Sequence, residues 1–264
     1  METKLSKKYG LPMAISMVIG IVIGSGVFFK AEAVLKATGG DVLTGIWAWL
    51  IVGIIMIICS YAFANLAGKY EKVNGLIDYA EATLGKSYGY YIGWYLATIY
   101  QPALTSVLAW VSARYTCVLL GIEDIVGGTC MTIAAFYLIA VYAMNALSPI
   151  IAGKFQVSTT AIKLIPLVLM AIVGTIKGLA TGITVENFTR TTSEMVSGGG
   201  GLFTSVVAVA FAYEGWIIAT SINSELRDAK KTLPKALVLG SIIVVAVYIL
   251  YYVGLAGAVS TEEL

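Results

Sequence analysis

Seven unbroken apolar runs constrain this chain more than any other feature. They lie near 11–36, 42–67, 87–119, 129–148, 156–177, 201–224 and 233–259. A helix rises about 1.5 Å per residue, so about 20 apolar residues cross a hydrocarbon core roughly 30 Å thick. Membrane barrel strands alternate polar and apolar residues, whereas these runs are continuous, so the expected spans are helices. Composition agrees. Hydrophobic residues make up 59% of the chain and charged residues only 12%, with a mean hydropathy of +0.88. A soluble domain carries about twice that charge, and one aqueous core could not hide so much apolar surface. The expected fold class is an all-α membrane protein.

Several function classes drop out on residue types. The chain has no histidine, which removes His-based metal sites, Ser-His-Asp triads and imidazole relays. Cys59, Cys117 and Cys130 sit in apolar stretches without metal-ligand spacing and read as small hydrophobes. No acidic metal cluster and no nucleophile–base pair stands out, so neither an enzyme, a metal site nor a cofactor is expected. A net charge of +2 without a long basic run gives no reason to expect a nucleic-acid partner. Lys4, Lys7 and Lys8 precede an apolar run as in a signal peptide. That run is too long, contains Gly-Ser-Gly and lacks a small-residue cleavage site, so it reads as a retained first span.

Loop charges predict the orientation. With the N-terminus cytoplasmic, the inner segments hold Lys4, Lys7, Lys8, Lys69, Lys72, Lys86, Lys154, Arg227, Lys230, Lys231 and Lys235. The outer ones hold chiefly acids: Glu32, Asp41, Glu123, Asp124, Glu186, Glu194, Glu262 and Glu263. The stretch near 75–86 is too polar to span and reads as a short interfacial helix on the cytoplasmic side. Residues 178–200 read as a polar external loop, in which Asn187-Phe188-Thr189 fits the glycosylation triplet, a weak signal.

Two spans carry helix-breaking polar features. The first is cut at Gly24-Ser25-Gly26, where two glycines flanking a serine favour unwinding. Unwound backbone is tolerated at that depth only where it lines a polar cavity or is buried in protein. Its freed N–H groups and the Ser25 hydroxyl would then suit a carboxylate at the positive end of a half-helix. Close helix packing through Gly20 and Gly24 is the competing explanation. The sixth span places Glu214 beside Gly215 near mid-membrane, where an ionised carboxylate costs about 2.5–3.5 kcal/mol. Either it faces a cavity or it belongs to a buried structural pair. Lys163 in the fifth span either faces the same interior or snorkels to the interface. Two interrupted helices five spans apart are what an inverted-repeat transporter requires, with half-helix ends gripping a zwitterion.

The motifs themselves carry a family resemblance. GIVIGSGVFF resembles the first-span signature of amino acid permeases of the amino acid–polyamine–organocation (APC) superfamily, and AFAYEGW their sixth-span signature. NGLIDYAEATLGKSYGYYIGW is similar to their loop and third span, with Asn74 in place of the usual first glycine. SELRDAKKTLPKAL resembles the loop into span seven, with Pro234 at a helix start. Together with AIKLIP, the set looks most like bacterial relatives of the L-type amino acid exchangers. The resemblance implies a LeuT-like inverted-repeat fold with helices 1 and 6 discontinuous. It implies that Gly24, Ser25 and Gly26 bind the substrate α-carboxylate, and that carbonyls near Val22, Ile23 and Phe211 bind its α-amino group. Phe211 would gate the site, whose wall continues through Ala212, Tyr213, Glu214 and Gly215. Lys163 matches a lysine standing where sodium-coupled cousins hold a cation, which implies sodium-independent exchange or proton symport. Glu214 is expected to line the side-chain pocket.

The implied function is secondary active transport of amino acids across the plasma membrane. A polyamine or organic-cation carrier, with Glu214 as counter-charge, is the alternative within transport. Family members have twelve spans and a ten-span core, whereas residues 1–264 hold one five-helix repeat plus two helices of a second. The expectation is therefore a truncated transporter domain, or one completed by a second polypeptide. A non-transporting partner of a full-length permease is the alternative outside transport.

Overall fold

The computed structural model describes residues 9–70, 74–189 and 200–258. Lys4, Lys7, Lys8, Lys72, Glu194, Glu262 and Glu263 lie outside the described residues, as does the side chain of Lys154. The elements are α1 (Leu11–Val22), α2 (Gly26–Ala37), α3 (Val42–Lys69), α4 (Leu76–Leu84), α5 (Lys86–Tyr95) and, after a π-helical turn Leu96–Tyr100, α6 (Gln101–Leu119). There follow α7 (Gly128–Leu147), α8 (Pro149–Leu169), a second π-helical turn Met170–Gly174, α9 (Thr175–Thr181), α10 (Ile183–Thr189), α11 (Gly200–Ala212), a 3₁₀ helix Trp216–Glu225 and α12 (Ala229–Ala258). Five helical stretches are long and apolar enough to cross a membrane, or six if the bent pair α1–α2 is one span. The described residues are all-helical, and the chain is a multi-pass membrane protein.

The seven expected runs meet the structure unevenly. The run near 87–119 is helical throughout from Lys86 to Leu119. It is not among the stretches apolar enough to cross, because Tyr88, Tyr90, Tyr91, Gln101, Thr105 and Ser106 dilute it. In the expected external loop, residues 183–189 fold as α10 instead, restarting after Gly182 at φ +79°. Asn187 is buried there, and its side-chain amide donates to the Ala256 carbonyl at 2.7 Å, so the amide anchors the loop and is not available for glycosylation. α12 begins at Ala229, which places Pro234 inside the helix and not at its start.

The described residues form two compact units, Met1–Leu76 with Thr159–Leu264, and Ile77–Ser158. In the first, the long helices α3 and α12 pack side by side, α1 lies on α12, and α2 lies on α11. Glycines set the closeness of the α3–α12 contact: a Cβ on Gly53 would stand 2.8 Å from Val245 and 3.1 Å from the Tyr213 hydroxyl. Ser60 and Ser241 share a buried hydrogen bond of 2.7 Å across the same seam. Without a hydrophobic drive between helices in lipid, close backbone approach and polar pairs supply the cohesion. The centre is aromatic. The buried Trp49 ring lies 5.8, 5.4 and 6.1 Å from those of Tyr213, Tyr248 and Tyr252. Asp41 starts α3 by accepting from the N–H groups of Leu43 and Thr44 at 2.9 and 3.1 Å, a cap worth about 1 kcal/mol.

In the second unit α6 packs on α7 around Ala109, Ala113, Cys117, Cys130 and Ala134. The three cysteines are free, two of them in or beside this apolar cluster. Thr116 and Tyr137 join the two helices by a 2.7 Å hydrogen bond. The exposed faces of both units carry Ile58, Ile139, Leu147 and Phe203, a surface that lipid solvates and water would not.

Candidate functional site at the break of the first span

α1 stops at Val22, and its last backbone bond runs from Ile23 N–H to the Ile19 carbonyl at 2.9 Å. The axis then bends by 47° into α2. The first turn of α2 closes on Ser25, whose carbonyl accepts from Phe28 and Phe29 at 3.1 and 3.5 Å. Among the described residues, no backbone carbonyl accepts from the N–H of Gly24 or of Ser25. Both residues are half-buried. A Cβ on Gly24 would meet nothing nearer than the Val22 carbonyl at 3.9 Å, so that direction is open. Gly26 is closed, with its missing Cβ 3.0 Å from Ala212 Cα and 3.4 Å from the Phe211 ring.

α11 ends opposite this point. After Ala212 the chain turns through Tyr213, Glu214 and Gly215, with Gly215 at φ +101°, a left-handed conformation glycine adopts without strain. A Cβ there would also press on Ile21 of α1 at 3.2 Å. Tyr213 is buried, and its hydroxyl donates to the Trp49 carbonyl at 3.2 Å. Glu214 is half-buried in the turn, its N–H 3.4 Å from the Phe211 carbonyl. Phe211 is half-buried and stands 5.9 Å from Phe29 of α2.

Two side chains tie the broken ends. The Lys163 ammonium, from α8, donates to the Gly20 carbonyl at 2.6 Å. In an uninterrupted helix that carbonyl would take the Gly24 N–H, so the break and the lysine are two halves of one arrangement. Gly20 lets α8 come near, since a Cβ on it would stand 2.8 Å from the Thr160 hydroxyl. Tyr248, fully buried on α12, reaches both the Val22 carbonyl at 3.0 Å and the Ala212 carbonyl at 2.9 Å. A phenol has one proton for these two acceptors. The carbonyl ends of α1 and α11 therefore converge on a single point.

Of the residues singled out in the sequence, Val22 and Ala212 meet through Tyr248, and Gly26 meets Phe211 and Ala212. Ile23 turns its side chain into the core. Lys163 reaches Gly20, one turn before the break. No local signal in the sequence marks Tyr248, which sits in YILYY among apolar neighbours, or Lys30, which follows the first-span motif directly. Among the described residues, the site thus offers N–H groups without a backbone acceptor at the start of α2 and carbonyls at the ends of α1 and α11. Such an arrangement pairs an anion with a cation a few ångströms apart.

These features define a class: a polytopic helical membrane protein in which two short helices, α1 and α2, meet at a 47° bend facing the end of α11. The amino acid permease family model matches residues 9–264, and the chain belongs to that family of transporters. It is similar to the serine/threonine exchanger SteT of Bacillus subtilis (strain 168), 32% identical over 263 residues, covering 100% of this chain and 58% of that protein. It is also similar to the human cystine/glutamate transporter, 26% over 264 residues, covering 100% of this chain and 52% of that one. The human b(0,+)-type amino acid transporter 1 is 28% identical over 270 residues, with 99% and 53% covered. The chain spans about half the length of these relatives.

Proposed function

We propose that the chain forms the substrate-binding part of a secondary amino acid carrier working by alternating access. The observation that carries this is the pairing of unbonded N–H groups at Gly24 and Ser25 with carbonyls of Val22 and Ala212 that converge on Tyr248. An α-amino acid bears a carboxylate and an ammonium on one carbon. The carboxylate lies on the Gly24–Ser25 N–H groups and the Ser25 hydroxyl; the ammonium lies toward the carbonyls near Val22, Ile23 and Phe211. Phe211 closes over the bound substrate, and the turn Ala212–Gly215 lines the side-chain pocket, with Glu214 as its polar wall.

The Lys163 ammonium at the Gly20 carbonyl is a resident cation on α1. It supports sodium-independent exchange or proton symport, because the carbonyl that a metal ion would need is already engaged. The inverted-repeat arrangement, a seventh crossing through Lys86–Leu119 and a cytoplasmic N-terminus in the plasma membrane belong to the same reading.

The test is uptake of labelled amino acids into proteoliposomes holding the full-length gene product, with and without internal amino acid and with and without sodium. Uptake that needs internal substrate or a proton gradient, and ignores sodium, is expected. No uptake of any amino acid under either condition sinks the reading.

A further inference from the structure

On the far side of the break, α2 carries a charge that the carrier reading does not use. Lys30 lies four residues after Gly26, on the same helix face. Its ammonium stands 5.3 Å from the centre of the Phe211 ring and 5.4 Å from that of Phe29. Those two rings are 5.9 Å apart and come from different elements, α11 and α2. Lys30 is half-buried, and among the described residues it has no ion pair. Glu32, the nearest acid along α2, is taken by Lys36 at 2.5 Å. Five residues beyond Ser25, Lys30 is about 7–8 Å further along α2, in one of the two helices of the expected first span. A half-buried ammonium on such a helix needs a partner or a wet cavity, and here the partner is a pair of aromatic faces.

We propose that Lys30 is a positioning residue acting through Phe211: its ammonium clasps α2 to α11 over the Phe29 and Phe211 rings, and an arriving carboxylate opens the clasp by drawing the ammonium off them. The inference rests on the carrier reading and adds to it a requirement on the substrate. A carboxylate forms a charge-assisted hydrogen bond with an ammonium, which outcompetes the face of a ring. An amine without a carboxylate meets only like charge. Substrates lacking a carboxylate are thus refused at the gate, before they reach Gly24 and Ser25.

The experiment compares an amino acid with its own amide in proteoliposomes holding the wild-type full-length protein, K30R or K30M. The readout is the ratio of the uptake efficiencies of acid and amide. In K30M that ratio falls by about 2- to 5-fold, the range a cation–π contact of ordinary strength supplies. K30R, which keeps the cation, holds it at the wild-type value. A lysine that merely supports the fold would lower both uptakes together and leave the ratio alone, and that result overturns the clasp. If K30M does not reach the membrane, F29L removes one wall of the clasp and must shift the ratio in the same direction. A wild-type protein that moves no amino acid overturns the carrier reading and the carboxylate trigger together, whereas transport with an unchanged ratio overturns the clasp alone.

Discussion

Side chains added at Gly24 and Gly26 would meet opposite surroundings, although the two residues are separated only by Ser25. At Gly24 the space is open, with the first atom 3.9 Å away. At Gly26 the backbone of Ala212 is already 3.0 Å from the absent Cβ. Gly24→Val is therefore expected to fill the place of the substrate carboxylate. Binding weakens on the order of tenfold or more, about 1.4 kcal/mol or above, while the unfolding temperature stays near wild type. Gly26→Ala forces α2 from α11 and costs about 1–3 kcal/mol as overpacking. A thermal-shift assay beside a ligand titration separates them, and equal effects on both readouts would contradict the assigned geometry. Lys163→Met is expected to leave the Gly20 carbonyl without its donor and to lower exchange by tenfold or more, with Lys163→Arg retaining part of it. Exchange rates at matched protein levels decide this.

Between elements, the decisive contact is the Tyr248 hydroxyl across two helix ends. Tyr248→Phe keeps the ring stack with Trp49 and Tyr213 but leaves two buried carbonyls without a donor, a cost of about 1–3 kcal/mol. The variant is expected to fold and to exchange more slowly; full-rate exchange by Tyr248→Phe would show that the bridge is idle. How legible these elements were depended on the range of the forces involved. A departure from helix near Gly24 was readable because glycine spacing is a local property; the structure shows it as a 47° bend between Val22 and Gly26, with helix resuming already at Gly26. Tyr248 was not, since its acceptors lie 226 and 36 residues away and a tyrosine in an apolar run reads as packing. α10 was hidden for a similar reason: a polar stretch becomes helical because Asn187 is pinned to Ala256, 69 residues on. The Lys86–Leu119 stretch was recognisable as a helix from its length, while its tyrosines and hydroxyls left its apolarity below that of the others.

At the scale of the whole molecule, the loop charges make a checkable claim about sidedness. Glu123 lies in the exposed connection before α7, and Lys86 begins α5 and is exposed. With a cytoplasmic N-terminus, Glu123→Cys in intact cells is expected to react with a membrane-impermeant maleimide, and Lys86→Cys only after permeabilisation. The reverse pattern would invert the topology.

The break in the first span also bears on how the protein is made. α1 and α2 have 12 residues each, about 18 Å of helix apiece, and neither half alone crosses a core of roughly 30 Å. Their packing partners, α12 and α11, are encoded some 200 residues later. During synthesis the opening segment therefore meets its two main packing partners only after most of the chain has emerged from the ribosome. Contacts this distant in sequence form late and leave an intermediate open to quality control. Ribosome-stalled chains whose emerged part ends before residue 200 are expected to leave a cysteine placed in the first span open to a small membrane-permeant thiol reagent, and those whose emerged part extends past residue 258 to protect it.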